Sequence, residues 1–504
     1  MKRRVVHRFV ITLTLIASMS CVWATAQSNR REEFVRKSGT SLTLGGQPFR
    51  YSGPNIEWLG LEGYGPADPR GPHYPSHAEV NDVFATAAMM GARVVRSQTM
   101  GDTVGCGKCI EPTNGTFNEA GFQGTDYALA VARKYGMKVI ITLVGDCATC
   151  SAGGIGQYLA WEKKKDMQDF FTDPQVIAAF EKHIDAVLNH VNPLTGIAYK
   201  NDPTIMAWEN CNECGLMSIL IGANKQSLQQ ESKWVETIGK YVKSIDKNHL
   251  YLDDSGLFYY YPKVLDDKSV DITTNEYYPH WVKVFDSKQV MTAETFRRDA
   301  ATVTGHGKVY IVDEYGWDVT DWPTRAEFAN VLNTMVQDKN ISGDAYWALQ
   351  AHNTIYGWQP IPANVRNAAY SRRGESGQWW ALYWGGINTL INSRKDMQAR
   401  AEMLRTHAFA MAGIPVPPYP VPPAPVITVK GLGVIAWRGS AGAVNYSVQR
   451  QASPTAPWKT ICDRCATDTD TPWVDPNPPG LLRVRYRVIA YNADGVASKP
   501  SAPR

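Results

Sequence analysis

The sequence predicts an α/β protein, a (β/α)8 TIM barrel followed by a small all-β module. Two patterns support this prediction. From residue 42 to residue 350, short apolar segments of strand length alternate with longer segments whose apolar residues recur at helical spacing. A proline-rich run over residues 415–425 then precedes a region of short β-type segments. We therefore expect the barrel within residues 27–414 and the module within residues 426–504.

Eight segments have the length and apolar character of buried parallel strands. The first is a pattern that begins within Leu42–Tyr51 and continues through Phe49–Trp58. The other seven are Ala92–Gln98, Lys138–Gly145, Ile205–Trp208, Leu250–Ser255, Asp271–Tyr278, Val309–Gly316 and Gly343–Gln350. Eight strand and helix units predict a closed barrel, with functional side chains at the carboxyl ends of the strands.

The intervening helices carry recognisable start and stop signals. Ser76 can cap a helix, and Gly136 can end the helix predicted over Phe122–Tyr135. A third helix, over Pro174–Val191, places its apolar residues on one face, which is typical of packing against a sheet. A fourth is predicted near Gln226–Ser244. A doubly wound open sheet is the alternative architecture, but no glycine-rich phosphate turn follows any of the early strands.

The region after the proline-rich run is predicted to be all-β. Its candidate strands are Val426–Val429, Val434–Trp437, Asn445–Arg450 and Val484–Tyr491. The last strand contains Tyr486, and this segment resembles the closing strands of a fibronectin type III sandwich, in which a tyrosine near the strand start ties the corner. We expect residues 415–425 to form a stiff, extended linker. A fold resemblance assigns no function, so the module is expected to be a spacer or a weak binding module.

Residues 1–26 have the composition of a secretory signal peptide. Four cationic residues precede the apolar run Phe9–Ala17, and an Ala-x-Ala cleavage pattern ends at Ala26. A retained anchor is one alternative, although this run is short for a bilayer. Lipidation at Cys21 is another. We expect the leader to be removed and the mature protein to be secreted, either to the periplasm or outside the cell, with no membrane attachment.

The charge of the remaining chain argues against an anionic partner. The whole sequence has 52 basic and 48 acidic residues, and without the leader both numbers are 48. A net charge of zero offers no basic surface for nucleic acid or for an anionic membrane. The 16 Trp and 24 Tyr are more informative, because aromatic rings stack on sugars as well as on core neighbours. We expect a monomer.

The cysteines also indicate an oxidising compartment. Outside the leader they form four Cys-x-x-Cys pairs, Cys106/Cys109, Cys147/Cys150, Cys211/Cys214 and Cys462/Cys465. In a secreted chain an even number of cysteines predicts disulfides, although the sequence does not determine their connectivity. Four-cysteine zinc sites are the alternative. A thioredoxin-like redox role is less compatible, since no pair opens a helix after a strand.

Two predicted barrel strands end in a glutamate. The fourth strand leads into Asn212-Glu213, and the seventh leads into Glu314. Retaining hydrolysis of a glycosidic bond needs two such carboxyl groups, one acting as acid and base and the other as nucleophile. This chemistry requires no metal or organic cofactor. Each glutamate could instead be a solvated loop residue, as most glutamates are.

The sequence around Glu213 resembles a known enzyme family. The segments Phe170-Phe-Thr-Asp-Pro-Gln-Val and Val187-Leu-Asn-His-Val-Asn-Pro-Leu-Thr-Gly-Ile-Ala-Tyr-Lys-Asn-Asp-Pro-Thr-Ile-Met-Ala-Trp-Glu-Asn-Cys-Asn-Glu213 are similar to plant and fungal endo-β-1,4-mannanases of glycoside hydrolase family 5. The similarity extends upstream to Phe122-Gln-Gly-Thr-Asp-Tyr127 and downstream to Glu314 and Trp347. It covers most of residues 34–350.

The resemblance implies a role for each matching residue. Glu213 would be the general acid/base, and Glu314 the nucleophile that forms a glycosyl-enzyme. Asn212 would hold the sugar 2-hydroxyl. Arg96 would keep the nucleophile ionised, although a structural ion pair with Glu209 is also compatible with this position, and both could hold.

Further residues are implied at the edge of the site. Tyr278 would donate a hydrogen bond to the nucleophile, and Trp347 would form a platform beneath the sugar, although a core indole is the alternative. Asn55, Trp58 and Trp384 are additional candidates for lining the cleft.

One residue departs from the family pattern. The mannanases have histidine two residues before the tyrosine of strand six, where this chain has Glu276. A third carboxylate beside the other two would raise their proton affinities or would itself be protonated. It could also turn away or pair with Arg96. The substrate is therefore less certain than the reaction class. A β-glucanase, an exo-acting β-mannan hydrolase and a non-catalytic polysaccharide-binding protein are the alternatives to an endo-mannanase.

Overall fold

A computed structural model describes most of the chain. The described residues are 33–63, 71–145, 153–214, 225–255, 263–280, 282, 290–358, 380–389, 391–468, 472–478 and 484–504. The predicted leader, residues 1–26, and the pair Cys147/Cys150 lie outside these ranges.

The chain begins with a small antiparallel sheet. Its strands are β1 (Val35–Ser38), β2 (Ser41–Leu44) and β3 (Gln47–Pro48). The continuous first strand predicted from residue 42 onward is therefore wrong in its first half. Gly45 and Gly46 both adopt positive φ, which turns the chain back on itself before the barrel begins.

Eight parallel strands form one sheet that closes on itself. They are β4 (Tyr51–Pro54), β5 (Val94–Ser97), β6 (Lys138–Thr142), β7 (Ile205–Glu209), β8 (Leu250–Asp253), β9 (Ile272–Tyr277), β10 (Val309–Tyr315) and β11 (Ile341–Tyr346). From β5 to β11 each strand pairs with the next, β11 pairs with β4, and an isolated bridge between Asn55 and Arg96 joins β4 to β5. The predicted (β/α)8 barrel is confirmed.

Nine helices are described, and all of them lie between the barrel strands or after the last one. They are α1 (His77–Met89), α2 (Gln123–Tyr135), α3 (Gly154–Trp161), α4 (Asp169–Thr172), α5 (Pro174–Asn189), α6 (Lys225–Ile245), α7 (Ala293–Gly305), α8 (Arg325–Gln337) and α9 (Arg394–Ala412). Short 3-10 turns lie at Glu119–Phe122 and Tyr199–Asn201.

The predicted helix signals act as expected. Ser76 forms a capping box with Glu79 at the start of α1, and Gly136 ends α2 in the left-handed conformation. Asp173 caps α5 just before Pro174. Among the described residues, no helix combines the length and apolar character needed to cross a bilayer.

The barrel closes tightly where β4 meets β5. A Cβ atom at Gly53 would lie 1.8 Å from the carbonyl oxygen of Val94, so only glycine allows this approach. The lower barrel interior is filled by apolar side chains that include Ile140, Met206 and Ile311. Such a filled interior leaves the carboxyl ends of the strands as the place for polar chemistry.

Two three-stranded antiparallel sheets follow the barrel. One contains β12 (Val426–Lys430), β13 (Val434–Arg438) and β16 (Trp473–Val474), and the other β14 (Asn445–Gln451), β15 (Lys459–Ala466) and β17 (Arg485–Tyr491). They share one apolar core, and the Tyr486 hydroxyl donates to Asp475 at 2.9 Å. An all-β region is confirmed, and its assignment to the fibronectin type III fold remains a prediction.

The proline-rich segment is anchored on both sides. Residues 415–425 form neither helix nor strand. Arg405 of α9 donates to the Pro417 carbonyl and lies 4.0 Å from the Tyr419 ring centroid. From the other side, Asn492 donates to the carbonyls of Tyr419 and Pro420 at 3.2 and 3.0 Å. These contacts hold the segment in place, and its extended conformation stays a prediction.

A buried histidine connects the barrel to the C-terminal sheets. His352, which follows β11, contacts Asp82 of α1 at 2.9 Å and Asp468 of the C-terminal region at 3.2 Å. Trp358 stacks on its ring. Burial lowers the pKa of His352, but Asp82 and Asp468 outweigh this effect and raise it to about 10. His352 is therefore a cation between two acids at neutral pH.

Three of the cysteine pairs are disulfides. Each bond closes within its own Cys-x-x-Cys pair, at Cys106–Cys109, Cys211–Cys214 and Cys462–Cys465. The second of these brackets the predicted acid Glu213. The connectivity that the sequence left open is therefore local for the described pairs.

We predict that Asp468→Asn destabilises the protein by about 2 kcal/mol at pH 7, because one partner of a buried cation is removed. A group whose folded pKa is raised stabilises the fold below its unfolded pKa, here about 6.5, and loses this contribution as pH rises through about 10. Urea unfolding across this pH range should show the loss in the unmodified protein and a smaller loss in the variant.

Asp266→Asn is the matched control, because Asp266 forms an exposed pair with His306. Its effect should stay within about 0.5 kcal/mol. Equal effects of the two substitutions would contradict the role assigned to His352.

Candidate active site

A fully buried arginine lies at the centre of the upper barrel. Arg96, on β5, binds both carboxylate oxygens of Glu209, with Nε to Oε2 at 2.7 Å and Nη2 to Oε1 at 2.5 Å. Its Nη1 donates to Glu314 Oε1, also at 2.5 Å. Burial opposes the charged form, but Glu209, Asp313 and Glu314 raise the pKa of Arg96 well above its usual value. Arg96 therefore forms both the structural ion pair with Glu209 and the contact with Glu314, the two roles that the sequence left open.

Arg96 has further acceptors around it. Asn55 Oδ1 lies 3.0 Å from Nη1, and Asp254 Oδ2 lies 3.1 Å from Nη2. Asp313 Oδ2 is 3.6 Å from Nε. Oxygens of Glu209, Asp254 and Asp313 lie within 4.8 Å of one another, a spacing that could suit a metal ion. Here the guanidinium contacts all three, so it supplies the cationic charge of this cluster.

Burial makes this cluster sensitive to pH near neutrality. It raises the pKa of Asp313 to about 7, with Arg96 acting in the opposite direction. It also raises the pKa of Asp254 well above its usual value, with a further contribution from Asp313. One cation faces several acids here, so the cluster takes up protons as the pH falls through 7.

Glu314, at the end of β10, is held through both carboxylate oxygens. Oε1 accepts from Arg96 and, at 3.1 Å, from Gln98 Nε2, and Oε2 accepts from the Tyr278 hydroxyl at 2.6 Å. Burial raises the pKa of Glu314 to about 8, with Arg96 lowering it and Glu213 raising it. The donors fix the orientation of the carboxylate and favour its ionised form.

Asn212 is oriented by two donors. Its Oδ1 accepts from Arg96 Nη2 at 2.8 Å and from Gln98 Nε2 at 2.7 Å. Since both neighbours donate, the atom that faces them is the amide oxygen, and the Asn212 amino group points elsewhere as a donor. The backbone N–H of Asn212 also bonds to Val144 at 2.8 Å, which ties this strand tip to the one beside it.

Glu213 follows directly and has an unusual backbone. Its φ is +53°, in the left-handed region that glutamate seldom adopts. Its side chain is half-buried, and its backbone N–H contacts Asp254 Oδ2 at 3.3 Å. The charge of Glu213 contributes to the raised pKa of Glu314, after burial, so the two carboxyl groups lie near each other.

Glu276 belongs to the same group. It pairs in register with Glu314 across β9 and β10 and is fully buried. Burial, and then the charges of Glu213 and Glu314, raise the pKa of Glu276 well above its usual value. Among the described contacts of Arg96 there is none with Glu276, so the proposed pairing of these two residues is wrong.

The aromatic and amide residues that were predicted to line the cleft differ in their exposure. Trp347 is half-buried, at the mouth of the barrel after β11. Trp58 and Trp384 have no exposed surface, so neither ring lines a cleft and these two predictions are wrong. Asn55 is also enclosed, where its Nδ2 donates to the Asp313 carbonyl at 2.8 Å. It therefore supports Arg96 from below and does not line the cleft.

Three residues of the site were not predicted from the sequence. Gln98 lies two residues after Arg96, and strand alternation could have placed both on the same face. Asp254 directly follows Asp253, the last residue of β8, and Asp313 directly precedes Glu314. Polar residues at these strand ends were the available signal.

Comparisons with known proteins agree with this geometry. The family profile described as "GH family 5 beta-mannosidase-like" matches residues 32–349. The chain belongs to glycoside hydrolase family 5. This match contains every strand of the barrel and all the site residues named above except Trp384.

Relatives of this family 5 chain include plant proteins. It is 37% identical over 222 residues to mannan endo-1,4-beta-mannosidase 1 of Oryza sativa subsp. japonica, covering 43% of this chain and 48% of that protein. It is 30% identical over 338 residues to the putative mannan endo-1,4-beta-mannosidase 9 of the same organism, covering 61% and 77%. The chain thus spans about half the length of the first of these relatives.

A solved structure shows the same fold. The endo-1,4-beta-mannanase from Rhizomucor miehei superposes with a TM-score of 0.58 at 23% identity, covering 75% of this chain and 99% of that chain. At this identity the similarity establishes the common fold.

We predict that Arg96→Met lowers the free energy of unfolding by about 3–5 kcal/mol at pH 7, because several buried acids lose the cation that they contact. The loss should shrink toward pH 5, below the raised pKa values of Asp313 and Glu314. Urea unfolding measures both effects. Arg297→Met is the control, since Arg297 is 42% exposed beside Glu294, and its effect should stay within about 0.5 kcal/mol. A pH-independent loss for Arg96→Met would contradict the electrostatic explanation.

Proposed function

We propose that this family 5 chain is a secreted, retaining glycoside hydrolase that cleaves β-1,4-mannosidic linkages in mannan-type polysaccharides. The observation that carries the proposal is the arrangement of Glu213 and Glu314. The two carboxyl groups lie at the ends of β7 and β10 and interact electrostatically, and Arg96, Gln98 and Tyr278 hold the second of them.

In the first step the Glu314 carboxylate attacks the anomeric carbon. The bond to the leaving sugar breaks, its electron pair stays on the leaving oxygen, and Glu213 protonates that oxygen. In the second step Glu213 takes a proton from water, whose oxygen attacks the same carbon and releases Glu314. Configuration is retained because the carbon is displaced twice.

The surrounding residues support these two roles. The Asn212 amino group is directed away from Arg96 and is available to a sugar hydroxyl, where a hydrogen bond can strengthen as the transition state forms. The half-buried Trp347 ring offers an apolar surface to a sugar face. The hydrogen bond from Tyr278 fixes the direction of attack by Glu314.

The choice of mannan rests on the relatives, whose names specify mannan endo-1,4-beta-mannosidases. Secretion is supported by the composition of residues 1–26 and by three local disulfides. We further propose that the C-terminal sheets form a fibronectin type III-like module, as the two packed antiparallel sheets and the Tyr486 contact suggest.

We predict that Glu213→Gln and Glu314→Gln each lower kcat on mannan by about a thousandfold or more, since each removes a group that reacts in both steps. Glu294→Gln, at a 76% exposed acid on α7, is the control and should retain activity. Reducing-end assays measure the rates, and proton NMR of the first products should show the β-anomer. Normal hydrolysis by either site variant would refute the assignment.

Product analysis on mannan, glucomannan and cellulose separates the remaining alternatives. Internal cleavage of mannan supports the proposal, whereas release of single sugars from chain ends indicates exo action. Faster hydrolysis of cellulose indicates a β-glucanase. Binding of mannan without any new reducing ends would show a non-catalytic binding protein.

We predict a pH profile of kcat/KM whose acid limb lies above the usual range of a glutamate, because burial raises the pKa of Glu314 to about 8. Tyr278→Phe removes a hydrogen bond that lowers this pKa, so the acid limb should move to higher pH and kcat should fall about tenfold or more.

Tyr277→Phe is the matched control. The Tyr277 hydroxyl, one residue earlier, donates to Asp299 at 2.6 Å on the opposite face of the strand. This variant should cost about 1 kcal/mol of stability and leave the acid limb in place. An equal shift in both variants would contradict the proposed contact.

A further inference from the structure

A disulfide encloses the acid of the proposed site. Cys211 and Cys214 are bonded to each other, both are fully buried, and Asn212 and Glu213 lie between them. We call residues 211–214 with this bond the 211–214 ring. The Cα atoms of the two cysteines are 6.0 Å apart. Four residues of extended chain would span about 10 Å, so the bond keeps the segment bent into a tight turn.

Glu213 is the third residue of this turn and has an unfavourable conformation for its type. Its φ is +53°. Turns that need a positive φ at the third position usually have glycine or asparagine there, because a Cβ atom makes the left-handed region costly for most other residues. In an open chain a glutamate would therefore favour negative φ. Closing the ring removes many of the conformations that the open segment could adopt.

A second ring in the same chain shows the same combination. Cys462 and Cys465 are bonded with their Cα atoms 5.4 Å apart, and the third residue of this 462–465 ring, Arg464, has a φ of +52°. Five non-glycine residues of the described chain have positive φ, and Arg464 and Glu213 are two of them. The ring Cys106–Cys109 has no such residue and is also closed by a backbone hydrogen bond. The left-handed third residue thus occurs in two separate rings.

The chain is anchored on both sides of Glu213. Before it, the Asn212 N–H donates to the Val144 carbonyl at 2.8 Å, and Asn212 Oδ1 accepts from Arg96 at 2.8 Å. After it, Cys214 is bonded to Cys211. Between two fixed neighbours, the φ of Glu213 decides where its Cβ atom points. A change to negative φ would turn the carboxyl group in another direction.

We propose that Cys211 and Cys214 are positioning residues, whose disulfide holds Glu213 in the left-handed conformation and so directs its carboxyl group toward the leaving oxygen. This inference rests on the proposed function, in which Glu213 is the acid and base. The two cysteines act only through the backbone of Glu213. Their bond stays intact throughout the reaction, so no redox step is involved.

The first test opens the ring with the double substitution Cys211→Ala and Cys214→Ala. The kcat on mannan should fall about tenfold to a hundredfold, because the acid is misplaced. The KM should stay within about threefold, since the lost contribution belongs to the transition state. The single substitution Cys214→Ser opens the same ring with a smaller change and should give the same split. Normal kcat in these two variants would overturn the proposal.

A substrate whose leaving group needs no proton separates misplacement of the acid from general damage. A dinitrophenyl β-mannobioside releases a stable anion, so its first step gains little from a general acid. The first-turnover burst of dinitrophenolate should keep its rate within about threefold in the ring-opened variants, although they hydrolyse mannan slowly. Equal losses on both substrates would mean that the whole site is damaged, and the proposal would fail.

The matched control is the double substitution Cys462→Ala and Cys465→Ala. It opens a ring of the same size around a residue of the same backbone conformation, Arg464, in the C-terminal sheets. Both kcat and KM on mannan should stay as in the unmodified protein. A loss of kcat equal to that of the 211–214 variants would show that any opened ring has this effect, and would overturn the proposal.

Hydrogen exchange provides a measurement without substrate. When the 211–214 ring is open, the backbone amides of Asn212 and Glu213 should exchange about tenfold faster or more, while those of β7 keep their rates. Unchanged exchange at these two residues would overturn the proposed constraint even if hydrolysis were slow. Faster exchange in a chain whose unmodified form hydrolyses no glycan would support the constraint and reject the proposed function instead.

Discussion

The site depends on one buried cation. Arg96 has no exposed surface and binds Glu209 with two hydrogen bonds while a third N–H reaches Glu314. Burying a guanidinium is favourable only when its donors are satisfied, and acceptors from several strand ends satisfy these. Because the same cation neutralises Glu209 and the proposed nucleophile Glu314, the folding of the upper barrel and the ionisation of Glu314 are coupled. A substitution that alters the stability of the upper barrel therefore also alters the ionisation of Glu314.

Much of this arrangement follows from regularities of the sequence. Apolar segments alternating with helical patterns predict the barrel, and in a barrel the strand ends converge, so Glu213 and Glu314 were expected to meet. The family resemblance added Arg96 to this pair. Exposure is different, because whether an indole faces a cleft or a core depends on loops that have no periodic signal. Sequence patterns therefore could not show that Trp58 and Trp384, which were predicted to line the cleft, are buried. Gln98, which donates to Glu314, was missed although strand alternation places it beside Arg96.

Contacts between distant parts of the chain were beyond sequence reasoning. The proline-rich composition of residues 415–425 predicts an extended segment but gives no information about Arg405 or Asn492, which hold it. In the same way, nothing in the sequence connects His352 with Asp82 and Asp468, because an isolated histidine and two isolated acids are common on any surface. The C-terminal sheets are consequently more closely joined to the barrel than a linker suggests.

The backbone of Glu213 bears on how this chain could change over time. Its φ of +53° suits glycine or asparagine better than glutamate, so the native residue is retained against a local conformational preference. Replacement by either residue would relax the strand tip and eliminate the acid that the proposed chemistry needs. Selection for thermal stability alone would thus favour variants at this position that are more stable and inactive. Screens for heat-tolerant forms need to select for turnover at the same time.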